Sequence, residues 1–372
     1  MTAQAIDLLF DLNLTEEQRI TRESLIRFSN VEVQSISRLS DEDGAVPADF
    51  YDKTAQLGLS LLSIPEEFGG AGMPRSPLSN MLSLEDLGKG DMSLALGTMT
   101  PLSFVNVLLD QGSESQQEKY LSEIADEKFK VGTIALMEPK ATFEATELDT
   151  TADKTDAGYI LNGEKSMVAL AEDALSILVV AQCDGVISAF VVERGAEGLA
   201  IQKEEFMGLR PLGLYRVTLT NTLVSDSARV GGSDNPFDVQ RVVDLGNIGL
   251  CAAAVGCCQA VLDYVVPYVN ERVAFGEPIS NRQSVAFMVA DMATEIEAMR
   301  LMVYRAASRA EQGLGFHKEA YLAKVLVADK AMEIGTNGVQ LLGGHGFTRE
   351  HPVEMWYRNL RSVGILQGVA VV

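Results

Sequence analysis

The residue types in this 372-residue chain that suit metal ligation or thiol chemistry are its four cysteines and three histidines. Cys183, Cys251, Cys257 and Cys258 show no metal-ligand spacing, and the adjacent Cys257 and Cys258 could join only through a strained bridge. They read as reduced thiols of an intracellular protein. His345 and His351 flank a glycine-rich loop and, lacking a third ligand, read as ordinary loop histidines with no metal. In that loop Gly343 and Gly344 would let backbone amides approach phosphate oxygens with no Cβ in the way. Arg272, with Phe275 three residues on, offers a guanidinium that matches a phosphate bidentately. Taken singly, a surface arginine, a core phenylalanine and a plain loop are the readier readings.

Composition narrows the function classes. Fifty-two acidic against thirty basic residues give a formal charge of -22, which would repel a phosphate backbone, so nucleic acid is excluded as a partner. Residues 1–13 carry acidic residues and no basic ones, unlike a secretory signal, which predicts a cytoplasmic protein. Residues 245–262 contain no charge and approach the length of a membrane span, but Asn247, Gln259 and several small residues make a buried helix the better reading. No membrane insertion is expected. The length suits two or three domains.

The elements that must position any site follow from pattern. Thr15-Glu16-Glu17-Gln18 reads as a capping box opening a long amphipathic helix, and helical periods dominate to about residue 130. From residue 131 the period becomes strand-like: residues 158–161 before Asn162-Gly163, and residues 175–183 and 186–192 around Asp184-Gly185, both dipeptides predicting hairpin turns. Strands follow at residues 199–202 and 217–224, and the β unit ends near Val230. After Pro236 the chain is helical again. Val285, Met288, Met292, Ile296, Met299, Val303 and Ala306 recur at three- and four-residue steps as a core stripe, which Gly313 stops. The predicted domains are residues 1–130, all helical; 131–230, β; and 231–372, helical.

Several segments at matching order and spacing carry a resemblance. They are Pro65-Glu66-Glu67-Phe68-Gly69-Gly70-Ala71-Gly72; Met137-Glu138-Pro139 followed by Gly158-Tyr159-Ile160-Leu161-Asn162-Gly163-Glu164-Lys165; Met207-Gly208-Leu209-Arg210; Arg272-x-x-Phe275-Gly276 with Gln283; and Gln340-x-x-Gly343-Gly344-x-Gly346. Together, over some 280 residues, they resemble the acyl-CoA dehydrogenase family. The resemblance implies a mainly α fold with a central β domain: an N-terminal helical domain, a middle β-barrel-like domain and a C-terminal four-helix bundle. It also implies FAD, held between a face of the β domain and the C-terminal helices, with a second subunit completing the adenosine site. On this chain the cofactor contacts would fall to Ala135, Met137, Met167, Ala169, Arg272, Phe275, Gln283, Gln340, Gly343 and Gly344.

The chain departs from the family where chemistry is done. In the family a glutamate removes the α-proton of an acyl thioester while hydride leaves the β-carbon for the flavin. Many members carry that glutamate in a Glu-Gly-Thr segment, where this chain has Gln367-Gly368-Val369. An amide has no useful basicity near neutral pH, although the Gln367 backbone N–H could still polarise a thioester carbonyl. Other members place the glutamate on the helix before Arg-x-x-Phe-Gly, and here that position is Gly246, followed by Asn247. Family Glu-Pro-Gly-Ala-Gly-Ser-Asp becomes Glu138-Pro139-Lys140-Ala141-Thr142-Phe143-Glu144, which puts bulky Phe143 in the place of a small hydroxyl. Trp-Ile-Thr becomes Met167-Val168-Ala169, and Met137 replaces another threonine, so the ring pocket should be apolar. The sequence stops at Val372, so the tail that often contacts adenine is short. Phe143, Asp244, Gly246 and Asn247 would border the acyl group, and Asp244 is the nearby carboxylate to test as a substitute base, although two helical steps turn it by about 200° from Gly246.

Two readings follow. One is an FAD oxidoreductase acting on an acyl-CoA or acyl-carrier thioester, by α,β-dehydrogenation or a modified reaction in the same pocket. The other is a non-catalytic partner subunit of a heteromeric dehydrogenase. A homotetramer, or a heterotetramer with a paralogous subunit, fits either.

Overall fold

A computed structural model describes residues 13–126, 128–232 and 236–372, so the acidic start read as lacking a secretory signal lies, apart from Asn13, outside the described residues. Helix α1 (Glu16–Phe28) opens on the predicted capping box: the Gln18 N–H donates to Thr15 Oγ1 at 3.2 Å and the Thr15 N–H to Gln18 Oε1 at 3.0 Å. A π turn carries it into α2 (Gln34–Asp43), and α3 (Phe50–Ala55) follows. Helices α4 (Pro77–Gly90) and α5 (Met92–Gln111) meet at Asp91, which ends the first and caps the second by accepting the Leu94 N–H at 3.0 Å. Short helical turns over residues 114–124 complete this helical layer.

The middle of the chain forms one eight-stranded sheet, from β1 (Val131–Ala135), β2 (Thr151–Thr155), β3 (Gly158–Ala169), β4 (Ala174–Cys183), β5 (Val186–Glu193), β6 (Leu199–Lys203), β7 (Leu214–Val224) and β8 (Arg229–Val230). The strand order is β6-β7-β3-β2-β4-β5-β8, with β1 parallel to β4. Asp184-Gly185 makes the predicted hairpin between β4 and β5, with φ of 51° and 79°. Asn162-Gly163 does not turn the chain. It lies inside β3, where the pairing with β7 shifts register between Leu161 and Gly163 and Asn162 Oδ1 accepts the Asn221 N–H at 2.7 Å. A Cβ at Gly163 would stand 2.6 Å from Thr150 Cα, so this glycine serves a bulge under close backbone approach. The turn lies earlier, at Asp156-Ala157, between β2 and β3.

The C-terminal layer holds α6 (Val239–Glu271), α7 (Gln283–Glu311), α8 (His317–Leu341) and α9 (Val353–Leu360). Met292, Ile296, Met299, Val303 and Ala306 of the predicted stripe are buried, Val285 and Met288 partly so, and Gly313 follows α7 with φ of 67°. Among the described residues α5 and α6 are long and apolar enough to cross a membrane. Their most apolar stretches are 94% and 89% buried inside the fold, as core helices are.

Candidate functional site

Helix α6 carries two separate parts of the site. In its first half Gly246 faces the segment after α9: a Cβ there would stand 3.1 Å from Val369 O and 3.2 Å from Gly368 Cα. The two alternative base positions, Gly246 and Gln367, therefore meet at one place, and neither carries a carboxylate. The Gln367 N–H donates to Met137 Sδ at 3.2 Å, and Gly368, with φ of 69°, lies so close to Leu136 that a Cβ would meet its Cδ2 at 2.5 Å. Asn247 is buried, and among the described residues its Oδ1 has no partner. Such an atom marks a place for a ligand group or water.

A buried ion pair fixes the sheet side of this place. The Lys165 Nζ, fully buried, donates to Leu136 O at 3.1 Å and to Glu138 Oε1 at 3.0 Å. Burial lowers the Lys165 amine to about 8. Burial would raise Glu138, but the Asp149 and Thr150 amides and the Lys165 charge outweigh it and hold the carboxyl at about 2. Met167 has φ of 57°, its N–H held at 2.8 Å by Glu204, and it lines an apolar crevice of about 90 Å³ with Leu209, Leu214 and Leu366. Ala169 is buried at the end of β3 and its carbonyl accepts the Thr133 hydroxyl at 2.7 Å. Ala135 packs within the core of the sheet, and Phe143 is half-buried.

Asp244 turns elsewhere. Its carboxylate accepts Gln240 Nε2 at 2.9 Å and lies 2.9 and 3.0 Å from His317 Nδ1, whose side chain is 64% exposed. Burial raises the Asp244 carboxyl, partly countered by His317 and Gln240.

The second part lies at the other end of α6. Arg272, Phe275, Gln340, Gly343 and Gly344 line one groove of about 600 Å³. Strands β9 (Val273–Ala274) and β10 (Glu277–Pro278) form a two-residue hairpin whose tip is Phe275-Gly276, both with positive φ, which projects the phenylalanine at 96% exposure. Among the described residues Arg272 has no ion pair or side-chain hydrogen bond, and nothing stands within 4 Å of a Cβ placed on Gly343 or Gly344. Gln283 begins α7 beside Arg282 and Ser284 of the groove wall. An unpaired guanidinium, open backbone at paired glycines and an exposed ring fit a phosphate-bearing planar ligand. His345 and His351 stack at 5.5 Å and bond Tyr268 and Tyr264 through Nδ1 at 2.8 and 2.7 Å.

Three family models cover almost the whole described chain: the acyl-CoA dehydrogenase N-terminal domain over residues 15–128, its middle domain over 133–222 and its C-terminal domain over 238–371. The chain belongs to the acyl-CoA dehydrogenase family. An acyl-CoA dehydrogenase of Bacillus subtilis is 32% identical over 96% of both chains. The solved butyryl-CoA dehydrogenase of Megasphaera elsdenii is 31% identical with a TM-score of 0.89, over 97% of this chain and 96% of the other. The FAD complex of PigA is 26% identical with a TM-score of 0.87, over 97% and 96%.

In this member of the family, three positioning groups are not among the residues that the sequence motifs assign to the site. Lys324 donates to Leu366 O at 2.8 Å, next to Gln367, and burial lowers its amine to about 8. Its signal was a lysine amid the stripe Ala320, Ala323, Val327 and Ala331. Lys165, an inward charge on a strand, pairs with Glu138. Glu204, which holds Met167, lies just past the end of β6 and had no local signal.

Proposed function

We propose that this chain is an FAD-binding oxidoreductase that acts on an acyl thioester between β3, the Leu136-Met137 peptide and α6. The meeting of Gly246 with the segment after Gln367, beside Met137, carries the reading, because both base positions of the family converge there. When bound, FAD supplies the two-electron acceptor of the family reaction. Arg272, Phe275, Gln283, Gln340, Gly343 and Gly344 hold its dinucleotide end, while Met137, Met167, Ala169 and the backbone at Ala135 offer the ring an apolar wall. Gly246 and Glu271, the last residue of α6 and the neighbour of Arg272, are 25 residues apart, about 38 Å of helix. That exceeds the reach of an extended dinucleotide, so the groove of one subunit completes the ring pocket of another, in a homotetramer or a heterotetramer with a paralogue. Exposed Phe287, Leu301, Tyr321, Leu322 and Val325 on α7 and α8 supply apolar surface for that contact.

The Gln367 N–H, now on a thioether sulfur that accepts weakly, is free to polarise a thioester carbonyl. The Gln367 amide takes no proton, so the reaction is one in which neither family base position receives the α-proton. Phe143 and Asn247 border the acyl group. The carrier is coenzyme A or an acyl-carrier protein, and the two membrane-length helices, both buried in the fold, suit a cytoplasmic protein.

The visible spectrum of the purified chain tests this directly: a flavin spectrum, directly or after FAD is added, is the expected result, and a colourless protein sinks the proposal. On the loaded protein, butyryl-CoA is added without oxygen to wild type and to Gln367→Glu. Bleaching in wild type marks an active flavoenzyme. Bleaching gained only in the variant marks a pocket that lacks nothing but its base, as in a non-catalytic partner subunit.

A further inference from the structure

Residues 369–372 run inward from the site, between α5 and α6. Ala370, Val371 and Val372 are buried, Val372 to 1% exposure. The Ala370 carbonyl lies so close to α6 that a Cβ at Gly249 would stand 2.0 Å from it and 2.9 Å from Val372 Cγ1. This is irregular backbone in a helical core, and its carbonyls are met by side chains: Asn106 Nδ2 on Val371 O at 2.9 Å and Arg75 Nη2 on Val372 O at 2.7 Å. Ala370 has φ of 57°, a left-handed conformation that a non-glycine residue keeps only when its surroundings impose it. The fit leaves polar atoms over: Asn106 Oδ1 and Asn247 Oδ1 are buried with no partner among the described residues.

We propose that residues 368–372 are a built-in occupant of the acyl cleft, so that an acyl chain enters beside Gln367 and Gly246 only when this segment leaves. The proposal rests on the reading of that cleft as the acyl site. The segment passes both base positions, lines the α6 face on which the acyl group would lie, and presents small apolar side chains as an alkyl chain does. Two side-chain donors and the burial of Ala370, Val371 and Val372 hold it, with no helix or strand pairing to the core. Gly368 is the pivot, since its φ of 69° and the nearness of Leu136 admit no side chain.

Octanoyl-CoA is the probe, titrated calorimetrically into the full chain and into a chain lacking residues 369–372, both supplied with FAD. The shortened chain is expected to bind octanoyl-CoA at least tenfold more tightly, while free coenzyme A binds both alike. In the full chain, saturating octanoyl-CoA should raise amide hydrogen exchange at residues 369–372 at least tenfold. Equal affinities, no binding by the shortened chain, or unchanged exchange at saturation overturns the proposal. Should the shortened chain not fold, Val371→Ser with Val372→Ser, which loosens the segment without removing it, takes its place with the same expectation. The flavin spectrum of the same samples reports separately on the flavoprotein reading. A colourless protein that shows the octanoyl-dependent difference keeps the occupant and loses the flavin, and a yellow one without the difference does the reverse.

Discussion

At its C-terminal end α6 borders an open groove whose guanidinium has no partner among the described residues and whose paired glycines have nothing within 4 Å of a Cβ, whereas the same helix packs tightly against residues 368–372 at Gly246 and leaves no room for a methyl group at Gly249. The groove keeps the residue types that the family resemblance assigns to dinucleotide binding. The departures from the family pattern include Gln367 and Gly246, and these two positions meet at the cleft. One helix thus joins an open surface groove to a cleft closely packed by the chain itself. Binding and chemistry are separable here, and substitutions at the two ends should separate them.

The largest effect is expected beneath the cleft. Glu138→Gln leaves the Lys165 ammonium buried without its counter-charge and should destabilise the chain by about 3–5 kcal/mol, read by denaturant unfolding. Because Glu138 titrates at about 2 in the fold, below its ordinary value of 4.5, its contribution is complete above the usual carboxylate range and is lost as pH falls toward 2. Wild type and variant should therefore converge in stability in acid, and a gap that widens there would contradict the ion pair. Next comes Gly368→Ala, where a left-handed φ and a 2.5 Å approach to Leu136 predict a loss of about 2–3 kcal/mol. A neutral outcome would show that the segment is not seated as described.

The groove answers differently. Arg272→Gln should weaken FAD binding about 10- to 100-fold, the worth of charged hydrogen bonds to phosphate, while unfolding of the FAD-free chain shifts by less than about 0.5 kcal/mol. A stability loss without an affinity loss would make Arg272 structural and remove the contrast with the cleft.

How much of this was legible in the sequence depended on whether the signal was local. The Thr15 cap, the Asp184-Gly185 turn and the α7 stripe were read because each is fixed by residues a few positions apart. Asn162-Gly163 misled, because its geometry answers to Thr150 and Asn221 across the sheet and not to its own neighbours. The groove was legible through Arg272, Phe275, Gly343 and Gly344, which lie in two short motifs. The meeting of Gly246 with Gly368, the burial of residues 370–372 and the Lys324 bond to Leu366 pair positions 42 to over 100 residues apart, and no local pattern encodes them.

Asp244→Asn is expected to do least, and it tests whether the cleft has a hidden base. Asp244 is two residues from Gly246, but its carboxylate is engaged by Gln240 and by His317 at the start of α8. The variant should therefore bleach with butyryl-CoA within about twofold of wild type, where loss of a working base would cost about 100-fold or more. Its stability effect should depend on pH. Burial raises the Asp244 carboxyl, so the folded chain holds that proton more tightly than the unfolded chain, and stability from this group is present at low pH and fades as pH rises through the raised value. Asparagine has no such slope. Compared with wild type, the variant should therefore fare better at pH 7.5 than at pH 4.5 in thermal melts. The opposite slope would mean that the His317 pairing outweighs burial, and a loss of bleaching would return Asp244 to the reacting centre.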